Sequence, residues 1–119
     1  MTTATDNMLA RKEGRVGTMI FNNPERHNAV SLEMWEAATR ILQDFARDDD
    51  VRVVVVTGAG GKAFVSGADI SRFESERATQ EAVARYNAIG QAFYTSLANF
   101  PKPTIAQIQG YCIGGGLNL

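Results

Sequence analysis

The sequence holds a single thiol, Cys112, which excludes an intramolecular disulfide and offers no cysteine spacing for a metal. That usage fits a reducing compartment, and a cytoplasmic protein is expected. Charge of one sign is equally scarce: 12 basic and 13 acidic residues leave a formal net charge of -1. The chain as a whole therefore carries no electrostatic footprint for nucleic acid or an anionic membrane. Long hydrophobic runs are missing too. The longest purely apolar stretch, Val53 to Val56, is far too short to span a bilayer. Met1 to Arg11 is polar, carries Asp6, and has neither the apolar core of a secretory signal nor the Arg-rich character of a transit peptide. No internal repeat or low-complexity segment interrupts the chain.

What is present suits one small folded domain: 119 residues, 45% apolar and 21% charged. Met8 to Lys12 and Val16 to Phe21, joined through Glu13-Gly14-Arg15, predict a hairpin. The turn-forming run Asn22 to Asn28 follows. Ser31 is then an expected N-cap, with Glu33 and Glu36 in the first turns of a helix. Met34, Ala38, Ile41, Leu42 and Phe45 recur at the spacing of one helical face. The acidic run Asp48-Asp49-Asp50 opposes the helix dipole, so the helix is expected to end there. Val51 to Thr57 is β-branched with almost no alternation, which predicts a strand buried on both faces of a parallel sheet. A second helix is expected from Thr79 to Phe100, with Val83, Tyr86, Ile89, Phe93 and Leu97 on its apolar face and Pro101 and Pro103 ending it. Thr104 to Gln109 reads as a short strand, and Gly110 to Gly116 as a turn opening a third helix. Alternation of strands and helices predicts an α/β fold. Only Leu117, Asn118 and Leu119 follow that turn, too few to nucleate a helix. The chain is accordingly expected to be part of a longer protein.

Two glycine clusters raise the question of nucleotide binding. Thr57-Gly58-Ala59-Gly60-Gly61-Lys62-Ala63 follows a strand, as a phosphate loop does. It lacks the Walker pattern, since Val56 stands where the first glycine belongs and Ala63 where Ser or Thr would hold magnesium. Ala63 also stands at the third glycine of the dinucleotide fingerprint, and Phe64 to Gly67 delay any following helix. A strand-exit loop is the better account. Gly114-Gly115-Gly116 is costly to order. It is either a flexible turn or a place where backbone N–H groups approach a ligand at a helix N-terminus.

Four segments bear on that choice: Asn23 to Val30, Val53 to Gly58, Lys62 to Ile70, and Lys102 to Gly116. Their order resembles the crotonase (enoyl-CoA hydratase/isomerase) family along nearly the whole chain. The motifs S-G-A-D-I and G-Y-x-x-G-G-G, about forty-five residues apart, are specific in combination. The resemblance implies a crotonase-like ββα spiral core, of which residues 1–119 form the N-terminal portion, a single acyl-CoA-binding domain broken off where a helix starts. It implies a coenzyme A thioester whose carbonyl oxygen sits between two backbone N–H groups that stabilise an enolate-like oxyanion. The matching positions are Ala68 and Gly115. Arg26, His27 and Ala29 match the loop bordering adenine and pantetheine, and Ser66, Asp69 and Ile70 match the segment around the adenine pocket. A loop histidine in a packing or solvent role accounts for His27 equally well, and Asp69 is equally a helix N-cap. Arg26, Lys62 and Arg72 are candidates for the coenzyme's phosphates, against ordinary solvation at the surface. The family needs no separate cofactor, coenzyme A being part of the substrate, and its full-length members form trimers or hexamers.

One residue departs from the pattern. Family hydratases carry glutamate in G-G-G-x-E, whereas this sequence reads Gly114-Gly115-Gly116-Leu117-Asn118. Asparagine orients a water but does not take its proton. Hydration of an enoyl-CoA is the expected reaction. Isomerisation, decarboxylation, thioester hydrolysis and a non-catalytic CoA-binding role are the alternatives that Asn118 leaves open.

Overall fold

The hairpin expected around Gly14 forms the middle of a five-stranded sheet. The computed structural model describes residues 2–5, 7–66, 79–110 and 112. Strands β2 (Met8–Glu13) and β3 (Val16–Phe21) pair antiparallel from Met8–Phe21 to Glu13–Val16. The two-residue turn between them has Gly14 at φ +58, where a residue without Cβ avoids strain. Strand β1 (Thr2–Thr5), unforeseen in a polar segment with no apolar alternation, adds antiparallel to β2. Strands β4 (Val53–Gly58) and β5 (Thr104–Gln107) extend the sheet on the other side, each parallel to its neighbour, in the order β1-β2-β3-β4-β5.

Helix α1 (Leu32–Arg47) lies between β3 and β4 in the chain, and α2 (Gln80–Ala98) between β4 and β5. Both begin as their sequences require. Ser31 Oγ accepts from Met34 N at 3.3 Å, while Ser31 N donates to Met34 Sδ at 3.5 Å. This is a capping box with a weak thioether acceptor in place of the usual glutamate. Thr79 Oγ1 accepts from Ala82 N at 3.0 Å at the head of α2. The expected Met34, Ala38, Ile41, Leu42 and Phe45 are buried along α1, and Trp35 and Ala37 widen that face.

Both helices cover one side of the sheet. Phe21 of β3 meets Trp35 of α1 at 6.3 Å and Phe93 of α2 at 6.2 Å between ring centroids, both edge-on. Pairing puts Met19 beside Val56 and Gly17 beside Val54, so Val54 and Val56 point into the same core. The expectation of a strand buried on both faces is therefore corrected. Val54 and Val56 are buried, but Val53, Val55 and Thr57 on the opposite face are only half-buried. The four valines reflect parallel pairing rather than helices on both sides. All of β5 is exposed, with Ile105 at 52%, and Ile108 just beyond its end is 51% exposed. Among the described residues no helix is long and apolar enough to cross a membrane.

Candidate active site

Parallel strands β3, β4 and β5 end together, because Phe21 pairs with Gly58 and Thr57 with Gln107. Three chain segments leave the sheet at that shared edge: residues 22–29, 59–66 and those following Gln107. Ligands of α/β sheets bind outside the carboxyl ends of the strands, where loops carry chemistry over a rigid frame.

The first loop turns through a 3-10 helix at Pro24–Arg26 and then through His27 and Asn28, at φ +54 and +59. Two consecutive non-glycine residues in the left-handed region need outside support, although Asn and His bear it better than most. Asn28 supplies it. Its backbone N–H donates to Asn23 O at 2.8 Å, and its side-chain Oδ1 accepts from Asn23 N at 2.9 Å. Asn23 Nδ2 in turn donates to Ala29 O at 2.9 Å. The fully buried Asn28 amide then reaches across to the second loop, where Nδ2 donates to Ala59 O and to Ala63 O, both at 2.9 Å.

That second loop passes Gly60 and Gly61 at φ +88 and +74 before descending into the core through Ala63, Phe64 and Val65, all at most 1% exposed. Ser66 emerges from this anchor, and its Oγ donates to Arg26 O at 3.4 Å. The third segment is tied back by Thr57 Oγ1, which donates to Gln107 O at 2.9 Å. It then turns at Gly110, φ +71, whose Cα lies against the Lys62 carbonyl so closely that any Cβ would overlap it.

Of the expected site residues, Arg26, His27, Ala29 and Ser66 are described. Arg26 and His27 are exposed on the first loop, Ser66 is half-buried beside Arg26, and Ala29 is buried at the loop's exit. Ala68, Asp69, Ile70, Gly115 and Asn118 lie outside the described residues, as do Arg72 and the expected third helix. Lys62 is exposed. Asn28 was not singled out within the turn-forming run, and Gly110 was marked only as the start of the glycine motif. An asparagine in a turn is common, and nothing local distinguishes one whose amide reaches across to another loop.

Elsewhere the surface is less promising. A cavity of about 470 Å³, lined by Asp49, Val51, Arg52, Pro101, Lys102 and Pro103, lies where β4 and β5 begin, at the opposite end of the strands. Among the described residues no group of three or more His, Cys, Asp or Glu is placed to hold a metal ion.

The sequence model for enoyl-CoA hydratase/isomerase matches residues 11–119, nearly the whole chain. The chain belongs to the enoyl-CoA hydratase/isomerase family. It is 32% identical to the short-chain-enoyl-CoA hydratase of Clostridium acetobutylicum, over 96% of this chain and 43% of that protein. It is 35% identical to the mitochondrial Delta(3,5)-Delta(2,4)-dienoyl-CoA isomerase of Mus musculus, over 83% of this chain and 33% of that protein. Among solved structures, an enoyl-CoA hydratase/carnithine racemase from Magnetospirillum magneticum superposes with a TM-score of 0.88 at 36% identity. That superposition covers 95% of this chain and 42% of the other. The chain thus spans less than half the length of these relatives. The shared fold extends over the sheet and the two helices described above.

Proposed function

We propose that the full-length protein acts on acyl-CoA thioesters, and that its reaction is hydration of a 2-enoyl-CoA. One observation carries this: the loops bearing the two family motifs leave the same carboxyl edge of the sheet and touch through Lys62 and Gly110. In this proposal the thioester oxygen lies between the N–H groups of Ala68 and Gly115, which stabilise the negative charge that develops there. Backbone donors favour small residues at both positions, since bulk would block the acyl group. Arg26 and His27, exposed on the first loop, border the coenzyme together with Ala29, Ser66, Asp69 and Ile70. No separate cofactor is required, since coenzyme A arrives as part of the substrate. The full-length protein assembles as a trimer or a pair of trimers, and the single thiol fits a cytoplasmic setting.

Isomerisation is the second possibility, and Asn118 favours it. An isomerase that moves one proton with a later carboxylate has no need of glutamate at this position. The test is crotonyl-CoA with the purified full-length protein, following loss of the conjugated-thioester absorbance. Hydration to the 3-hydroxy product supports the proposal. Absence of turnover with any short or medium enoyl-CoA would refute it.

A further inference from the structure

Ala63 is held from two sides. Asn28 Nδ2 donates to its carbonyl at 2.9 Å. On the other side Gly110, at φ +71, packs against the Lys62 carbonyl, and a Cβ there would come within 3.1 Å of Ala63 N. In sequence, Ala63 leads in five residues to Ala68, and Gly110 leads in five to Gly115. The backbones feeding the two oxyanion positions therefore meet at Lys62–Ala63, and one buried amide fixes that meeting point to the first loop.

We infer that Asn28 is a positioning residue for the oxyanion site. Its amide ties the second loop at Ala59 and Ala63, and through Lys62–Ala63 the turn at Gly110, to the first loop, and so orders the two backbone segments that lead to Ala68 and Gly115. This rests on the oxyanion role proposed above for Ala68 and Gly115. Asn28 is suited to the task for three reasons. Its backbone is left-handed at φ +59, a conformation asparagine tolerates. It is fully buried, so its bonds do not compete with water. Its amide also satisfies Ala59 O, so the strand-exit loop is gripped at both ends.

Two variants of the full-length protein separate positioning from stability. Asn28→Gly keeps the left-handed backbone and deletes the amide. Asn28→Asp keeps the acceptor for Asn23 N but turns a carboxylate toward two carbonyls. Three readouts are taken on each: turnover of crotonyl-CoA, affinity for free coenzyme A, and the red shift of a bound enoyl-CoA bearing an electron-donating aryl group. That shift reports how strongly the thioester carbonyl is polarised. A displaced donor is expected to lower kcat roughly 10–100-fold and to diminish the red shift in the folded protein, with coenzyme A affinity nearly unchanged. The melting temperature falls as well, because Ala59 O and Ala63 O lose a buried donor. Full kcat and full red shift in a folded Asn28→Gly protein overturn the inference. So does a loss of kcat matched by loss of coenzyme A affinity with the red shift intact, or failure of both variants to fold, since Asn28 would then serve stability alone. If the unsubstituted protein itself neither polarises the chromophore nor turns over enoyl-CoA, the proposed function fails and this inference with it. Normal behaviour of the unsubstituted protein beside unaffected variants removes this inference only.

Discussion

Trp35 and Tyr86 join the two helices through a buried relay: Trp35 Nε1–H donates to the Tyr86 hydroxyl at 3.1 Å, and that hydroxyl donates to Val30 O at 3.2 Å. The contact fixes α2 against the start of α1 while the rings of Trp35 and Phe93 pack at 5.2 Å. Tyr86→Phe keeps the ring and leaves the indole N–H and the Val30 carbonyl short of a partner. Loss of about 1–3 kcal/mol is expected, since a buried donor left unmade incurs its full desolvation penalty. Urea unfolding of the two proteins measures it. An unchanged midpoint would mean that water replaces the hydroxyl without loss.

Lys102 caps the end of α1 from the far side of the chain. Its Nζ donates to Phe45 O and Asp48 O, both at 2.6 Å, satisfying carbonyls that the helix leaves open and placing positive charge at the negative end of the dipole. Lys102→Met preserves the aliphatic stem and removes the charge. A cost of about 1–3 kcal/mol is expected for these charge-assisted bonds, nearer the lower end because the site is only half-buried. Thermal unfolding checks this, and a melting temperature equal to that of the unsubstituted protein would deny the cap any weight.

The acid limb of stability should depend on Lys12 and Asp48. Lys12 Nζ lies 2.8 Å from Asp48 Oδ2 and 3.3 Å from Asp50 Oδ2. The hydrogen bond from Lys12, assisted by the Asp50 N–H, holds the Asp48 carboxyl below its ordinary 3.8. The same bond raises Lys12 above its ordinary 10.5 against the opposing effect of desolvation. A carboxyl depressed in the folded state stabilises above its unfolded pKa and ceases to do so as pH falls through the folded value. The lysine contribution is complete below 10.5 and fades as pH rises through the raised value. Both groups face solvent, so the effect is small and weakens with salt. Urea midpoints of the unsubstituted protein and Lys12→Met, compared from about pH 2 to 6, should converge toward the acid end. Parallel curves across that range would show that the pair contributes nothing.

The sequence reveals local order well and long-range ties poorly. Ser31, Thr79 and the apolar spacing of α1 and α2 act within one or two turns, so their pattern shows in the residues themselves. The same holds for the turn at Gly14. Lys102 lies 54 residues from Asp48, and no local pattern marks it as the cap of a helix ended by three aspartates. Strand β4 misled because a run of valines suits parallel pairing whether helices cover one face or two. The family motifs pointed to the proposed chemistry, but Asn28 went unnoticed because its amide bonds two carbonyls more than thirty residues away.

Under the proposed function, Asn118 bears on which reaction the full-length protein favours. Hydration requires a water that attacks the β-carbon while losing a proton, so a base has to stand beside it. In the hydratase pattern that work is shared by two carboxylates, and Asn118 occupies the place of one. An amide aligns the water through hydrogen bonds but leaves its proton to the second carboxylate. Loss of a positioned general base costs roughly 10²–10⁴ in rate, about 3–5 kcal/mol of barrier. The protein is therefore expected to hydrate crotonyl-CoA slowly, and Asn118→Glu to raise that rate at least about tenfold. Conjugated-thioester absorbance reads both proteins under the same conditions. Fast hydration by the unsubstituted protein that declines on Asn118→Glu would assign the base to another residue. Double-bond migration in both proteins, without hydration in either, would make this family member an isomerase.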